Sequence, residues 1–260
     1  MPRYKLLIEY DGAPFAGWQI QAGQATVQGV LTAAVEAFCG ESVAVQGAGR
    51  TDAGVHAVSQ IVHFDTEAAR PMTAWVRGVN AHLPPTAAVL WAHPVPPEFH
   101  ARFAATQRHY TYLLLNRAER PGLMAGRAGW YHRPLDVAAM QIAFAMLIGT
   151  HDFSSFRAAE CQAKSPVKTL AHAHVAREGH LVRFELSANA FLHHMVRNIV
   201  GALVTVGSGK AAPSWMGELL AAQDRTRGPA TFAPDGLYFC GADYDARFAL
   251  PPTRREAMVQ

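Results

Sequence analysis

The chain is poor in cysteine, poor in charge and without any long apolar run. Its three cysteines, Cys39, Cys161 and Cys240, are odd in number and far apart. That excludes a disulfide framework and points to a reducing compartment, the cytoplasm. No uninterrupted apolar stretch approaches the ~20 residues that span a bilayer. The start, Met1-Pro2-Arg3-Tyr4-Lys5, runs into a strand-like segment and shows no signal-peptide core. Membrane association is therefore not expected. Charged residues make up only 17% and hydrophobic ones 50%, the composition of an ordinary globular protein with length enough for a large core. A phosphate-binding G-x-x-x-x-G-K-[ST] spacing is absent. So is a second acidic residue near the one prominent carboxylate, which argues against glycoside hydrolysis.

What charge there is lies unevenly. Residues 1–100 hold 5 Lys/Arg against 8 Asp/Glu, residues 101–200 hold 12 against 6, and residues 201–260 hold 6 of each. A basic middle on a chain of net charge +3 implies a basic face rather than a generally adhesive protein. Most of those cations are arginine, the better residue for phosphates and bases.

The most distinctive stretch is Gly47-Ala48-Gly49-Arg50-Thr51-Asp52-Ala53-Gly54-Val55-His56. Its glycines free the backbone to turn tightly or to lie against a ligand. Strand-like runs flank it, Val43–Val45 before and Val58–Phe64 after. Such a loop is a natural place to present Asp52 as a reactive group, with Arg50 beside it. A turn with a solvated Arg/Asp pair fits the composition equally well.

Periodicity predicts an α+β protein. Tyr4–Tyr10 reads as a strand, and a helix follows N-cap Thr26 and stops at Gly40. Strands around the Gly-rich loop, a helix over Thr73–Leu83 and a strand over Ala87–Ala92 complete a β-α-β-β-α-β order. The order repeats with His109–Leu115, a helix over Asp136–Ile148 capped by Gly149, a hairpin over Leu170–Arg177 and Leu181–Leu186, a long helix over Ala190–Val206 and a strand over Leu237–Tyr244. A short helix, Ser214–Ala222, intervenes. The expected architecture is two ferredoxin-like βαββαβ halves, their antiparallel sheets joined into one extended sheet with helices on one face. Residues 1–103 form the first half and carry the aspartate loop. Residues 104–247 form the second and carry the basic surface, and residues 248–260 form a frayed tail.

Three further stretches bear on chemistry. In a strand, Arg108, Tyr110 and Tyr112 share one face, which suits base stacking, although half-buried core tyrosines are the commoner case. In the long helix, Leu192, Met195, Val196, Ile199 and Leu203 form an apolar stripe, while His193, Arg197 and Gly201 fall on another face. Adjacent helical residues such as His193 and His194 point about 100° apart and do not converge on one ion. His172 and His174 share a strand face without a third ligand. Packing or RNA contact suits these histidines better than a metal site, and no metal is expected. A lone carboxylate such as Asp52 acts as a nucleophile when a cation such as Arg50 or Arg197 holds it ionised.

Taken together, these stretches resemble the tRNA pseudouridine synthase A family. The carriers are Glu9-Tyr10-Asp11-Gly12, Gly17-Trp18-Gln19, Gly49 through His56, Phe99-His100-Ala101-Arg102-Phe103, Asp152-Phe153-Ser154-Ser155-Phe156, His193 through Asn198, and Gly236-Leu237-Tyr238. The resemblance runs from Tyr4 to about Tyr244. It implies a cofactor-free isomerase that converts uridine to pseudouridine at positions 38, 39 and 40 of the tRNA anticodon stem-loop, and a cytoplasmic homodimer sharing the tRNA. By matching positions it implies Asp52 as the catalytic aspartate and Tyr110 as the tyrosine that stacks on the target base. It implies Arg197 as the arginine paired with the aspartate, Arg50 as an arginine linked to base flipping, and Leu237 as an apolar residue of the pocket.

Overall fold

The computed structural model describes residues 1–248 and 250–257. It is a mixed α+β protein with ten strands and five α-helices among those residues. In chain order the elements are β1 (Arg3–Tyr10), α1 (Val27–Cys39), β2 (Gln46–Gly47), β3 (His56–Asp65), α2 (Met72–His82) and β4 (Ala87–Val95). Then come β5 (Ala105–Asn116), β6 (Gly129–Tyr131), α3 (Val137–Ala145), β7 (Gly149–Asp152), β8 (Val167–Glu178) and β9 (Leu181–Ala188). The chain finishes with α4 (Met195–Gly207), α5 (Trp215–Ala222) and β10 (Leu237–Tyr244). No helix among the described residues is long and apolar enough to cross a membrane.

The chain divides into two compact units, residues 1–108 with the described residues from 238 to 257, and residues 109–237. The division falls inside β5 and inside β10, so the last strand, expected with the second half, belongs to the first unit from Tyr238 onward.

In the first unit the strand order is β4-β1-β3-β10, with β2 also paired to β3. β1 is antiparallel to β3 and β4, β2 antiparallel to β3, and β10 parallel to β3, Tyr238 opposite His56. Chain order β1-α1-β2-β3-α2-β4 with this pairing is the ferredoxin-like unit. Thr26 caps α1 through its side chain, and Gly40 ends it in the left-handed region at φ 77°. Trp75 of α2 is fully buried against Tyr4, Phe38 and Phe64. One expected strand is shorter than its apolar pattern. Val43 and Val45 are buried in alternation, but the Val45 carbonyl accepts from the Gln28 amide instead of a strand partner. Only Gln46–Gly47 pair as β2.

The end of the chain is anchored rather than frayed through residue 257. Gly241 takes φ 132°, and the Thr253 carbonyl lies where its Cβ would be. Thr253 Oγ1 donates to the Ala242 carbonyl at 2.5 Å, Ser59 donates to the Thr253 carbonyl, and the Arg255 amide donates to the Cys240 carbonyl at 2.9 Å. The rest of the expected fray, 258–260, lies outside the described residues, as does Ala249.

In the second unit the order is β5-β9-β8-β7, with β6 parallel to β5. β8 and β9 form the expected hairpin, Glu178 opposite Leu181. Asp136 caps α3 by accepting from the Ala139 amide. The helix stops three residues early: the amides of Met146, Leu147 and Ile148 each reach only three residues back. Gly149, at φ 116°, opens β7 instead of capping the helix. α4 begins five residues later than its periodicity suggests. The His193 amide donates to Cys161 Sγ and its carbonyl accepts from the Ala158 amide, which holds the backbone out of the helix. His194 then takes a left-handed conformation at φ 61°.

One buried charge stands out. Lys5 on β1 is fully buried, its Nζ has no hydrogen-bond partner, and it lies 4.5 Å from the Trp91 ring centre. Burial pushes its pKa down to about 7, against about 10.4 in an unfolded chain. The unfolded state then binds more protons between those values, so folding stability rises with pH across that window. The Lys5→Met variant should be more stable than wild type at pH 7, with the gap closing toward pH 10. Tm measured from pH 6 to 10 tests this, and parallel curves for the two proteins would refute it.

Candidate active site

The aspartate loop is pinned from three sides within the first unit. At the end of β1, the Tyr10 hydroxyl and Thr51 Oγ1 share a buried hydrogen bond of 2.9 Å. Burial pushes the Tyr10 pKa up to about 12, so this phenol stays neutral. The Trp18 amide donates to the Thr51 carbonyl at 2.9 Å, the Gly54 amide to the Phe15 carbonyl, and the Val55 amide to the Asp52 carbonyl at 3.1 Å. Buried Gln60 of β3 grips Gly49 at both its amide and its carbonyl.

The glycines ahead of the loop are there for contact. A Cβ on Gly12 would sit 2.0 Å from the Val55 carbonyl oxygen. Gly17, at φ 93°, would place one 2.8 Å from the Thr51 carbonyl oxygen and 3.1 Å from the Asp52 carbonyl carbon. No side chain fits between the 12–18 segment and the loop. This explains why Asp11-Gly12 and Gly17-Trp18 accompany the Arg50–His56 motif in the sequence.

His56 completes the frame. Its Nδ1 accepts from the Gly12 amide at 3.0 Å and lies 3.2 Å from Asp11 Oδ1. A nitrogen accepting from an amide carries no proton, so the Asp11 contact is not an ion pair. The imidazole stacks on Tyr238 of β10 at 4.7 Å and 22°. Asp52 itself is half-buried at the turn, and Arg50 is exposed. Partial burial and the charge of Arg102 push the Arg50 pKa down.

The second unit holds Tyr110, Arg197 and Leu237. Tyr110 on β5 is 9% exposed, its ring packed edge-on to Phe191 at 4.9 Å. Arg197, on the first turns of α4, is half-buried and donates from Nε to the Phe232 carbonyl at 2.8 Å. Its charge and that of Asp235 both act on Tyr112, whose pKa is raised chiefly by burial. Leu237 is buried, its amide bonded to the Pro234 carbonyl. Gly236 beside it lies so close to the backbone of Leu113 and Gly129 that no Cβ fits.

Several expectations need correction. Arg108, Tyr110 and Tyr112 do not form an open stacking face. Tyr112 is fully buried and its hydroxyl donates to the Ala233 carbonyl. Arg108 spends its guanidinium on main-chain carbonyls, including those of Ala105 and Arg102. His193 is not on the α4 face with Arg197, because the helix starts at Met195.

Residues to which the sequence assigned no role turn out to brace the second unit. Asn198 donates to the Phe156 carbonyl and accepts from Arg225 and Thr231, while Ser155 donates to the Leu219 carbonyl and accepts from the Asp224 amide. Motif residues Ser155 and Asn198 thus hold the 224–232 segment against α4. Their signal was the motif itself; that their role was bracing could not be read from spacing.

Comparison with known proteins decides what this arrangement belongs to. A family profile described as tRNA pseudouridine synthase matches residues 6–104 and 143–245. The chain belongs to the tRNA pseudouridine synthase family. It is 57% identical to a tRNA pseudouridine synthase A from Methylobacillus flagellatus, over 99% of this chain and 98% of that one. The protein of that name from Thiobacillus denitrificans is 57% identical over 96% of each chain. The one from Chromobacterium violaceum is 58% identical over 96% of this chain and 95% of its own. The family's enzymes are isomerases, and pseudouridine synthesis in tRNA is the activity this chain has. Gly17→Ala should therefore lower both stability and tRNA pseudouridylation, the latter by about 100-fold, since displacing a reactive group by ~1 Å costs that much. A variant with wild-type kcat/KM would show that the loop does not need this close approach.

Proposed function

We propose that the enzyme isomerises uridine at positions 38, 39 and 40 of the tRNA anticodon stem-loop, with Asp52 as its single catalytic carboxylate and no cofactor. The observation that carries this reading is the fixed turn around Asp52, held through Thr51, Gly49, Gly54 and Val55 by main-chain and buried side-chain bonds. A turn so restrained holds a carboxylate in one place at little further entropic cost, which is what a reactive group requires.

The reaction breaks the N1–C1′ bond, turns the uracil, and joins C5 to C1′. The proton on C5 is lost and N1 gains one, so no water is consumed and no redox partner is needed. One carboxylate is enough to exchange with the sugar or base and leave again. Bulk water competes with the freed base and must be kept out. The target base first leaves its stack, at a cost of a few kcal/mol.

The other residues take the roles that the family resemblance implies. Tyr110 offers an aromatic surface to the displaced base. Arg197, whose Nε donates to the Phe232 carbonyl, takes the role of the arginine that the family pairs with its aspartate. Arg50 assists extrusion of the base, and buried Leu237 supplies an apolar wall. The enzyme acts as a cytoplasmic homodimer on its tRNA.

Release of tritium from [5-³H]uridine-labelled tRNA measures the reaction directly. Wild type should release it without added metal, and Asp52→Asn should lose at least about 1,000-fold in rate while still binding tRNA. Release by Asp52→Asn at the wild-type rate would remove Asp52 from the chemistry. Modification mapped outside positions 38–40 would overturn the assigned target.

A further inference from the structure

The first unit contains a cavity of about 180 Å³ lined by Trp18, Gln19, Gln28, Gln46, Arg50 and Arg102, with Gly47 also in its wall. The lining holds two cations and three amides and no carboxylate. The Trp18 indole lies flat over Gly47, where a Cβ would meet it at 2.6 Å. Gln28 is locked, its Nε2 donating to the Val45 carbonyl and its Oε1 accepting from the Ile20 amide. Arg50 and Arg102 are close enough that the charge of one depresses the pKa of the other. Both guanidiniums line the same polar pocket, and a phosphate offers oxygens to both.

Beside the pocket the chain displays an aromatic ring to solvent. Phe103 is 77% exposed, although its neighbours Phe99 and Ala101 are fully buried. The turn that carries it is rigidly built. His63 accepts from the Ala101 amide, Tyr244 donates to the Ala101 carbonyl, and His100 Nδ1 accepts from the amides of Arg102 and Phe103. The Phe103 ring packs against His100 at 4.3 Å, with the Arg102 guanidinium 5.7 Å from its centre. The turn thus buries Phe99 and Ala101 while holding the Phe103 ring at the surface, where a base can stack on it.

We propose that Arg50, Arg102 and Phe103 form a nucleotide subsite, in which the two arginines take an RNA backbone phosphate and Phe103 stacks an unpaired base of the same strand. Phosphate held by guanidinium and base held by an aromatic ring is the pairing that single-stranded RNA requires. Arg50 precedes Asp52 by two residues, about 7 Å of chain at most. The nucleotide in this subsite therefore lies near the one being isomerised, and the subsite serves to hold the loop open around it. The inference rests on the tRNA reading above.

The test is the salt dependence of binding to unmodified tRNA, for wild type, Arg102→Gln, Arg102→Lys and Phe103→Ala, with Tm recorded for each. Loss of one phosphate contact reduces the slope of log K against log salt by about 1. Arg102→Gln should show that change with about tenfold weaker binding at 0.1 M salt. Arg102→Lys should recover the slope and part of the affinity. Phe103→Ala should bind about tenfold more weakly with the slope unchanged. An unchanged slope in Arg102→Gln, or undiminished affinity in Phe103→Ala, overturns the subsite. Tritium release by wild type in the same preparations separates the two readings: a silent wild type rejects the function, whereas an active wild type with indifferent variants rejects the subsite alone.

Discussion

Close backbone contact between the 12–18 segment and the aspartate loop is the constraint on which the first unit depends. Main chain lies against main chain at Gly12 and Gly17, at distances no side chain could occupy. Everything that carries the loop serves that contact. β1 delivers Tyr10 to Thr51, β3 delivers Gln60 to Gly49, and His56 reaches back to the Gly12 amide. The loop's geometry is thus set by hydrogen bonds that water cannot easily replace, because Tyr10, Thr51, His56 and Gln60 are all buried. A carboxylate on such a loop has little freedom to relax toward solvent.

Much of this was legible in the sequence, and the reasons are specific. The α1 helix follows from a clean N-cap at Thr26, an apolar stripe and a left-handed stop at Gly40. The β8–β9 hairpin follows from two alternating runs around Glu178-Gly179-His180. Asp52 stood out as the only acidic group between three glycines. Where the reading failed, a long-range partner overrode a local pattern. Val43–Val45 alternates like a strand, but a glutamine from α1 takes the Val45 carbonyl. His193 fits a helix by periodicity, but the 158–161 segment takes its amide and carbonyl. The stacking face drawn from Arg108, Tyr110 and Tyr112 assumed that one side of β5 stays open. Tyr112 is instead sealed beneath Phe184 and Phe232. Periodicity reports which side of an element is apolar, not what covers the other side.

The motifs also divide by physical role. Gly12, Gly17 and Gly236 are required by close approach, Asn198 and Ser155 by bracing, and His63 and His100 by the turn they hold. His63 illustrates the last case. Burial and nearby cations push its pKa down to about 4, so it stays a neutral acceptor for the Ala101 amide at any physiological pH. A run of recognisable residues in a sequence is therefore not a run of reactive ones, and most of them build the frame for a few.

The pairing of β10 with β3 has a consequence for how the protein is made. His56 pairs with Tyr238, 182 residues later in the chain (238 − 56). During synthesis the N-terminal residues emerge first, yet their sheet lacks a strand until nearly the whole chain has been translated. The edge of β3 beyond β2, next to the aspartate loop, waits open through that interval. The first unit is not a continuous stretch of chain, because residues 109–237 are inserted between its two parts, so no single cut releases it intact. Assembly is thereby tied to completion: a chain truncated before residue 238 lacks both the strand and the tail that close the first unit.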